Sequence, residues 1–363
     1  MTPYSRLLPV KNIMAQNEFN AILATHKTDG YFFLDVRAPI EHLESPLPKC
    51  FCNIPILDND ERSHVGTIYK KKSATEATEV AYQHAIKKEE NYIDLIKDQA
   101  KNRSIVVTCW RGGGRSQYVT NLLVEKGLQA SQLEGGQKKF RQTVCDFFST
   151  RKFNFLVLQG LTGCGKTEIL EKLTAMNWPV LDLELAARHA SSILGRVRYN
   201  HLPAVSSQQE FEINIYLQLS SFPENSTIFC EGESRKIGPY IIPDMLYKTL
   251  VSAPGILINV PYEERISRLK KEYLQTEEKR TQLSELLIYF KKKIPLSTIN
   301  NWQHLIETNQ DEVFLADILI YYDKFYKLNK SNLAAICDYQ AANFDEFTFI
   351  LKRIVAGSSC QNQ

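Results

Sequence analysis

Residues 160–167, Gly160-Leu161-Thr162-Gly163-Cys164-Gly165-Lys166-Thr167, fill the eight-position pattern G-x-x-x-x-G-K-[ST]. No other stretch of the chain narrows the fold so far. The pattern works only between a strand and a helix. Its glycines let backbone N–H groups wrap an anion, and the helix N-terminus adds positive potential. Both flanks are present. Residues 153–158 read as a strand, and residues 166–175 carry a helical period. Gly160, Gly163 and Gly165 then form a phosphate cradle, Lys166 reaches the outer phosphates, and Thr167 holds a Mg²⁺ ion. The motif specifies a polyphosphate, not which one.

Further strand ends follow at Val180-Leu181-Asp182, at Thr227-Ile228-Phe229-Cys230 and over 255–260. Carboxylates beside them, Asp182 with Glu184 and Glu231 with Glu233, are candidate metal partners. They read equally as structural carboxylates, so no metal ligand is assigned with certainty.

A second loop of the same kind lies upstream. Cys109-Trp110-Arg111-Gly112-Gly113-Gly114-Arg115-Ser116 follows the apolar run 105–108 and precedes a helical stretch that Gly127 stops. A cysteine there sits among backbone N–H groups at a helix N-terminus, with Arg111 and Arg115 adding positive charge. All three favour the thiolate, the reactive form of the side chain. Gly112, Gly113 and Gly114 complete an anion cradle with a nucleophile at its rim. The pattern C-x₅-R-[ST] is shared by rhodanese-like sulfurtransferases and cysteine-dependent phosphatases. The loop from Cys109 to Arg115 is one residue longer than is usual in sulfurtransferases acting on thiosulfate, which suits a phosphate-sized oxyanion. The thiol either attacks such a donor or accepts a chalcogen from it.

Two strand–loop–helix units predict an α/β chain of two parallel-sheet domains. The reading assigns 1–148 to a rhodanese-like domain and 149–262 to a P-loop NTPase-like core. Residues 263–363 form a mainly helical C-terminal extension of that core. The chain has 363 residues, and 44 Lys plus Arg against 41 Asp plus Glu leave a net charge of +3. That balance neither announces a nucleic-acid binder nor excludes one. No charged-then-apolar leader follows Met1 and no apolar run is long enough to span a bilayer, so the expectation is a cytoplasmic protein without membrane contact. Of eight cysteines only Cys109 lies in a motif that calls for chemistry. Cys50 and Cys52 lack the second pair a zinc site needs, and no zinc, haem or flavin is expected.

The combination resembles the tRNA 2-selenouridine synthase family over roughly residues 30–330. Its blocks are Asp35-Val36-Arg37-Ala38-Pro39-Ile40-Glu41, Asn53-Ile54-Pro55, Asp60-Glu61-Arg62, Val65-Gly66-Thr67 with Tyr69-Lys70, and the Cys109 loop. Then come Glu134-Gly135-Gly136, the Gly160 loop, Asp182-Leu183-Glu184, Glu233-Ser234-Arg235 with Ile237-Gly238, and Tyr321-Tyr322-Asp323 with Tyr326. Asp35 and Arg37 read as a structural salt bridge. One departure is visible. The family continues toward Ala-x-His-Arg-Gly-Ser-x-Phe-Gly, where this chain has Ala187-Arg188-His189-Ala190-Ser191-Ser192-Ile193-Leu194-Gly195.

The resemblance implies replacement of the 2-thio group of a wobble uridine by selenium from selenophosphate. It also implies an S-geranylated intermediate made from geranyl diphosphate. The partner is then a tRNA whose anticodon loop bears 2-thiouridine. On this reading selenophosphate sits in the Cys109 loop and the diphosphate of geranyl diphosphate in the Gly160 loop. Lys70, Lys138, Lys139 and Arg235 are candidate tRNA contacts, since cation clusters can join into a stripe against the phosphate backbone. Two other readings compete. One is a thiosulfate sulfurtransferase fused to a P-loop small-molecule kinase. The other is a nucleotide-regulated binding module in which Cys109 senses redox state.

Overall fold

The computed structural model describes residues 6, 8–189, 199, 202–324, 332–340 and 343–359. It divides into two compact units, Met1–Thr150 with Ser206–Ser221, and Arg151–Val205 with Phe222–Gln363.

The first unit is built on five strands, β1 (Ile13–Met14), β2 (Tyr31–Asp35), β3 (Phe51–Asn53), β4 (Ser104–Thr108) and β5 (Ala130–Leu133). They lie in the order β1-β5-β4-β2-β3, and every pairing is parallel. β4 is the central strand. Its Ile105, Val106 and Val107 are buried, because a parallel sheet is covered on both faces. Helices Ala74–Ile86, Glu89–Ala100 and Gly114–Glu125 supply Tyr82, Ala85, Ile93, Ile96, Val119 and Leu122 to one core beside the sheet.

The second unit repeats the plan. Its strands are β6 (Asn154–Gln159), β7 (Val180–Leu181), β8 (Thr227–Glu231), the hairpin strands β9 (Lys236–Ile237) and β10 (Tyr240–Ile241), β11 (Gly255–Asn259) and β12 (Leu333–Asp338). The sheet order is β12-β11-β6-β8-β7, again parallel throughout. β6 is central and its carboxyl end feeds the Gly160 loop. A separate cluster of Leu283, Leu287, Phe290, Trp302, Phe314 and Leu319 binds the C-terminal helices to one another.

One stretch differs from the sequence reading. The helix Gln208–Ser220 falls inside residues read as the P-loop core, yet it belongs to the first unit. Its Tyr216 ring lies 5.9 Å from Phe140 and 4.9 Å from Phe147, both on helix Gly136–Thr150. Aromatic partners distant in sequence decide its membership, which local periodicity cannot reveal. The C-terminal extension is mainly helical, but it also returns β12 to the sheet edge beside β11. No described helix is long and apolar enough to cross a membrane.

Candidate functional site

Cys109 leaves the end of β4 and is 3% exposed. Its Sγ accepts a hydrogen bond from the Gly113 amide at 3.3 Å and lies 3.1 Å from Ser116 Oγ. Gln132 Nε2 donates to that hydroxyl at 2.8 Å, which fixes its position. The loop rests on Glu134-Gly135-Gly136. Gln137 N donates to Cys109 O at 3.0 Å and Lys138 N to Trp110 O at 2.9 Å. The approach is too close for a side chain. A Cβ on Gly136, where φ is +60°, would meet Cys109 O at 2.3 Å, and one on Gly112, at φ +61°, would meet Leu133 O at 2.9 Å. Glycine at both positions is therefore a steric requirement of the cradle.

The two arginines separate. Arg111 is exposed. Arg115 is turned to Glu41, with Nη2 3.0 Å from Oε1 and Nη1 bonded to Oε2. The positive charge expected beside the thiol is thus shared with a carboxylate. Glu41 also accepts from the Ala38 amide at 3.1 Å. Burial works against its charge, but Arg115 and Ala38 outweigh burial and hold the carboxyl below its usual range.

Asp35 and Arg37 form the expected buried pair, with Nη2 2.7 Å from Oδ2 and both side chains fully enclosed. Arg37 Nη1 then donates to the carbonyls of Glu41 at 3.2 Å and Ser45 at 2.9 Å. The Asp35–Glu41 block is therefore a frame that aims Glu41 at Arg115.

Above the loop opens a cavity of about 1070 Å³. Cys109, Arg111 and Gly113 line one side of it. Ile56, Leu57, Val65, Ala81, Tyr82 and Ala85 give it apolar walls, and Arg62, Tyr69 and Lys70 also border it. The Val65–Lys70 block is thus part of the cavity wall. The sequence reading missed the wall from helix Ala74–Ile86, although Ala77, Ala81 and Ala85 recur at a spacing of four, a stripe of small residues on one helix face.

In the second unit, Gly163 (φ +79°) and Gly165 (φ +85°) take the left-handed turn the phosphate motif needs, and helix Lys166–Ala175 starts at Gly165. Lys166 Nζ donates to Gly160 O at 2.9 Å. The strand-end carboxylates sort themselves. Oxygens of Glu184, Glu231 and Glu233 lie within 4.8 Å of one another. Asp182 instead caps its helix, accepting from Leu185 N at 2.7 Å. Burial first, then the charges of Glu184, Asp182 and Glu233, push the Glu231 carboxyl well above its usual range. Three close carboxylate oxygens are a hard donor set that fits Mg²⁺.

Sequence reasoning also missed two arginines of helix Tyr262–Tyr273. Arg265 Nε donates to Thr162 O at 2.8 Å, and Arg268 Nη1 donates to Cys164 O at 3.2 Å. Asp323 clamps Arg265 at 2.7 and 2.9 Å, which gives the Tyr321-Tyr322-Asp323 block a task. Arginines spaced by three residues after a strand end were the available signal.

The candidate RNA contacts divide between the units. Lys70 and Lys138 are exposed in the first. Lys139 pairs with Glu134 there, and Arg235 pairs with Asp244 in the second. A Cβ on Gly238 would lie 2.7 Å from the His189 ring, so the Ile237-Gly238 block packs on that histidine. Ala190 to Gly195, where the chain departs from the family pattern, and Tyr326 lie outside the described residues.

Residues 153–343 match the family model described as the tRNA 2-selenouridine synthase AAA domain. Among the relatives that carry the name tRNA 2-selenouridine synthase are three from different genera. The one from Nitrosomonas europaea is 31% identical over 254 residues, 67% of this chain and 63% of its own. The one from Aeromonas salmonicida is 30% identical over 265 residues, 72% of this chain and 70% of its own. The one from Chromohalobacter salexigens is 30% identical over 334 residues, 81% of this chain and 86% of its own. The match to the Nitrosomonas europaea relative therefore spans somewhat less than two thirds of that protein's length. Among solved structures, the N-terminal domain of an ATP/GTP binding protein from Clostridium difficile 630 is similar at 32% identity. It covers 36% of this chain and 98% of its own, with a TM-score of 0.33. On the family model and these relatives, the chain belongs to the tRNA 2-selenouridine synthase family.

Proposed function

We propose that this protein converts the wobble 2-thiouridine of tRNA to 2-selenouridine with selenophosphate, through an S-geranyl intermediate made from geranyl diphosphate. One observation supports this reading above the others. A thiol bonded to the Gly113 amide sits in a glycine loop that opens into a large cavity with apolar walls. A phosphorylated selenium donor needs the cradle. A base carrying a ten-carbon thioether needs the apolar volume.

Electron bookkeeping limits what the thiol does. Taking selenium as Se(0) from selenophosphate would release phosphite, and the S–Se bond formed on Cys109 would then need a two-electron reductant before selenide could add to the base. Attack of Cys109 Sγ on phosphorus balances instead. An S–P bond forms, the Se–P bond breaks, and selenium leaves as hydroselenide. Hydroselenide adds at C2 of the base, and the geranylated sulfur leaves as its thiolate. Water then hydrolyses the S–P bond to release phosphate and restore the thiol. On this reading the Gly113 amide, which donates to Sγ, and the helix that starts at Gly114 would stabilise the developing phosphoryl charge. Arg111 is available from the cavity wall.

The sequence reading gave geranyl diphosphate to the Gly160 loop. The apolar volume its chain needs borders the Cys109 loop in the first unit, and on our reading the chain lies there. At the Gly160 loop, Mg²⁺ held by Glu184, Glu231, Glu233 and Thr167 would neutralise polyphosphate charge.

Mass spectrometry of wobble nucleosides tests the proposal, after incubating 2-thiouridine tRNA with enzyme, selenophosphate and geranyl diphosphate. Wild type is expected to give 2-selenouridine, with S-geranyl-2-thiouridine when selenophosphate is withheld. Cys109→Ala should lower selenation by roughly 100-fold or more while geranylation continues. Equal loss of both products would refute the assignment of Cys109 to the selenium step alone. Failure of the wild-type protein to bind tRNA would remove the reading altogether.

A further inference from the structure

A second recess lies in the other unit, at the carboxyl ends of β11 and β12. Its volume is about 400 Å³, and Asn259, Pro261, Asp338, Tyr339, Gln340 and Asn343 line it. That size falls within the range of small-molecule sites. In open parallel sheets, ligands bind outside the carboxyl ends of the strands, where this recess is.

It adjoins the Gly160 loop. β11 is hydrogen-bonded to β6, the strand that feeds the loop, and a Cβ on Gly160 would lie 2.9 Å from Ile258 O of β11. A Cβ on Gly165 would lie 3.4 Å from the Tyr339 ring. Tyr339 in turn hangs from Asn259 O by a 2.9 Å backbone hydrogen bond. Neighbouring strands are about 4.8 Å apart, so the recess is about 5–10 Å from the loop. A ribose and one phosphate span that distance.

The lining selects among polyphosphates. Asn259 and Asp338 face each other in register, and Asn259 Nδ2 donates to Asp338 Oδ1 at 2.7 Å. Asp338 is exposed, and its carboxylate has lone pairs beyond the one that bond uses. Gln340 and Asn343 add amides. A hydrocarbon chain here would cover these groups without pairing them, which is costly. A heterocycle with donors on its pairing edge would satisfy them. Guanine offers two adjacent donors, N1–H and the N2 amino group, to one carboxylate. Adenine's pairing edge offers an acceptor at N1 and a single amino donor.

We propose that the second unit binds a guanine nucleoside triphosphate, with the polyphosphate in the Gly160–Thr167 loop and the base in the recess at Asp338. This goes beyond the selenation reading and does not depend on it.

The test is competitive displacement of a fluorescent N-methylanthraniloyl GTP from the full chain in Mg²⁺ buffer. Competitors are GTP, ATP, inorganic tripolyphosphate and geranyl diphosphate. GTP should compete at least about tenfold better than each of the other three, the effect of one charge-assisted hydrogen bond. Asp338→Ala should remove about tenfold of the GTP affinity and leave tripolyphosphate unchanged, and Lys166→Ala should weaken both. Asp338 is exposed, so its replacement is not expected to unfold the unit, and an unchanged thermal melt verifies that. Absence of GTP binding, GTP no better than tripolyphosphate, or geranyl diphosphate competing as well as GTP would each overturn the proposal. ATP equal to GTP, or an Asp338→Ala protein with unchanged GTP affinity, would overturn the assignment of the base to Asp338. Wobble-nucleoside analysis is unaffected by any of these outcomes, so the two readings fail separately.

Discussion

Glu41 and Glu231 are buried carboxylates whose surroundings push them in opposite directions, and the consequences for stability have opposite signs. Around Glu41 and Asp35, burial raises the cost of charge, but Arg115 for one, and His42 with Arg37 for the other, more than offset it. Both carboxyls stay ionised below their usual values of 4.5 and 3.8. A depressed pKa gives stability that is complete above the unfolded value and disappears as pH falls through the folded one. The first unit should therefore hold its melting temperature down to about pH 4 and lose it steeply below. Glu41→Gln should melt lower at neutral pH and show a shallower acid limb, measured by thermal melts from pH 7 to pH 2. An acid limb identical to wild type would show that the Arg115 pair contributes nothing.

At Glu231 the sign reverses. Its raised pKa means that ionisation opposes folding as pH rises, unless a cation relieves it. Glu231→Gln is expected to raise the melting temperature of metal-free protein at pH 8. It should also abolish the rise that Mg²⁺ gives wild type, which calorimetry reads directly. A Mg²⁺-dependent rise that survived the substitution would remove the trio from consideration as a cation site.

Both cradles share one plan, a central parallel strand, a glycine loop and a helix, and steric clearance is what makes that plan work. Gly136→Ala would drive a methyl into the Cys109 carbonyl, whereas a Cβ on Gly114 meets nothing within 4 Å. The expected cost of Gly136→Ala is about 1–3 kcal/mol, the range for a forced backbone shift. Because the loop moves, selenation should fall by roughly 100-fold. Gly114→Ala, substituted into open space, serves as the control by the same melts and nucleoside assay.

These elements were legible in the sequence because their information is local. Eight adjacent residues state each loop, and an apolar run with a helical period states each flank. The cavity beside Cys109 was not legible, since Val65, Ala81 and Leu57 meet only after three elements have packed. Arg265 and Arg268 were missed for the same reason. Each reaches a loop carbonyl about a hundred positions earlier in the chain, with |i−j| of 103 and 104. Arg115 was read only in part. Its position in the motif was plain, but its partner Glu41 lies 74 positions away.

At the scale of the whole chain, the first unit is completed by a segment that leaves the second and returns to it. Helix Gln208–Ser220 buries Phe211, Ile215 and Leu219 completely, and Tyr216 almost so. Side chains of this size are worth about 1.5–3 kcal/mol each when removed from water, so the helix contributes to the first unit on the scale of a domain's net stability. Sequence order alone would place its loss in the second unit. Phe211→Ala decides between the two, because a fully buried phenylalanine truncated to alanine costs about 3–5 kcal/mol wherever it is packed. Hydrogen exchange followed by segment mass spectrometry is the suitable readout. Amides of β4 and of helix Gly114–Glu125 should lose protection in the variant, and those of β6 and β8 should keep theirs. Loosening of β6 and β8 with β4 unchanged would assign the helix to the unit that surrounds it in sequence. The expected pattern would also link residues 206–221 to chemistry at Cys109. A substitution more than a hundred residues beyond the thiol would then lower selenation, while nucleotide affinity at the Gly160 loop stayed the same.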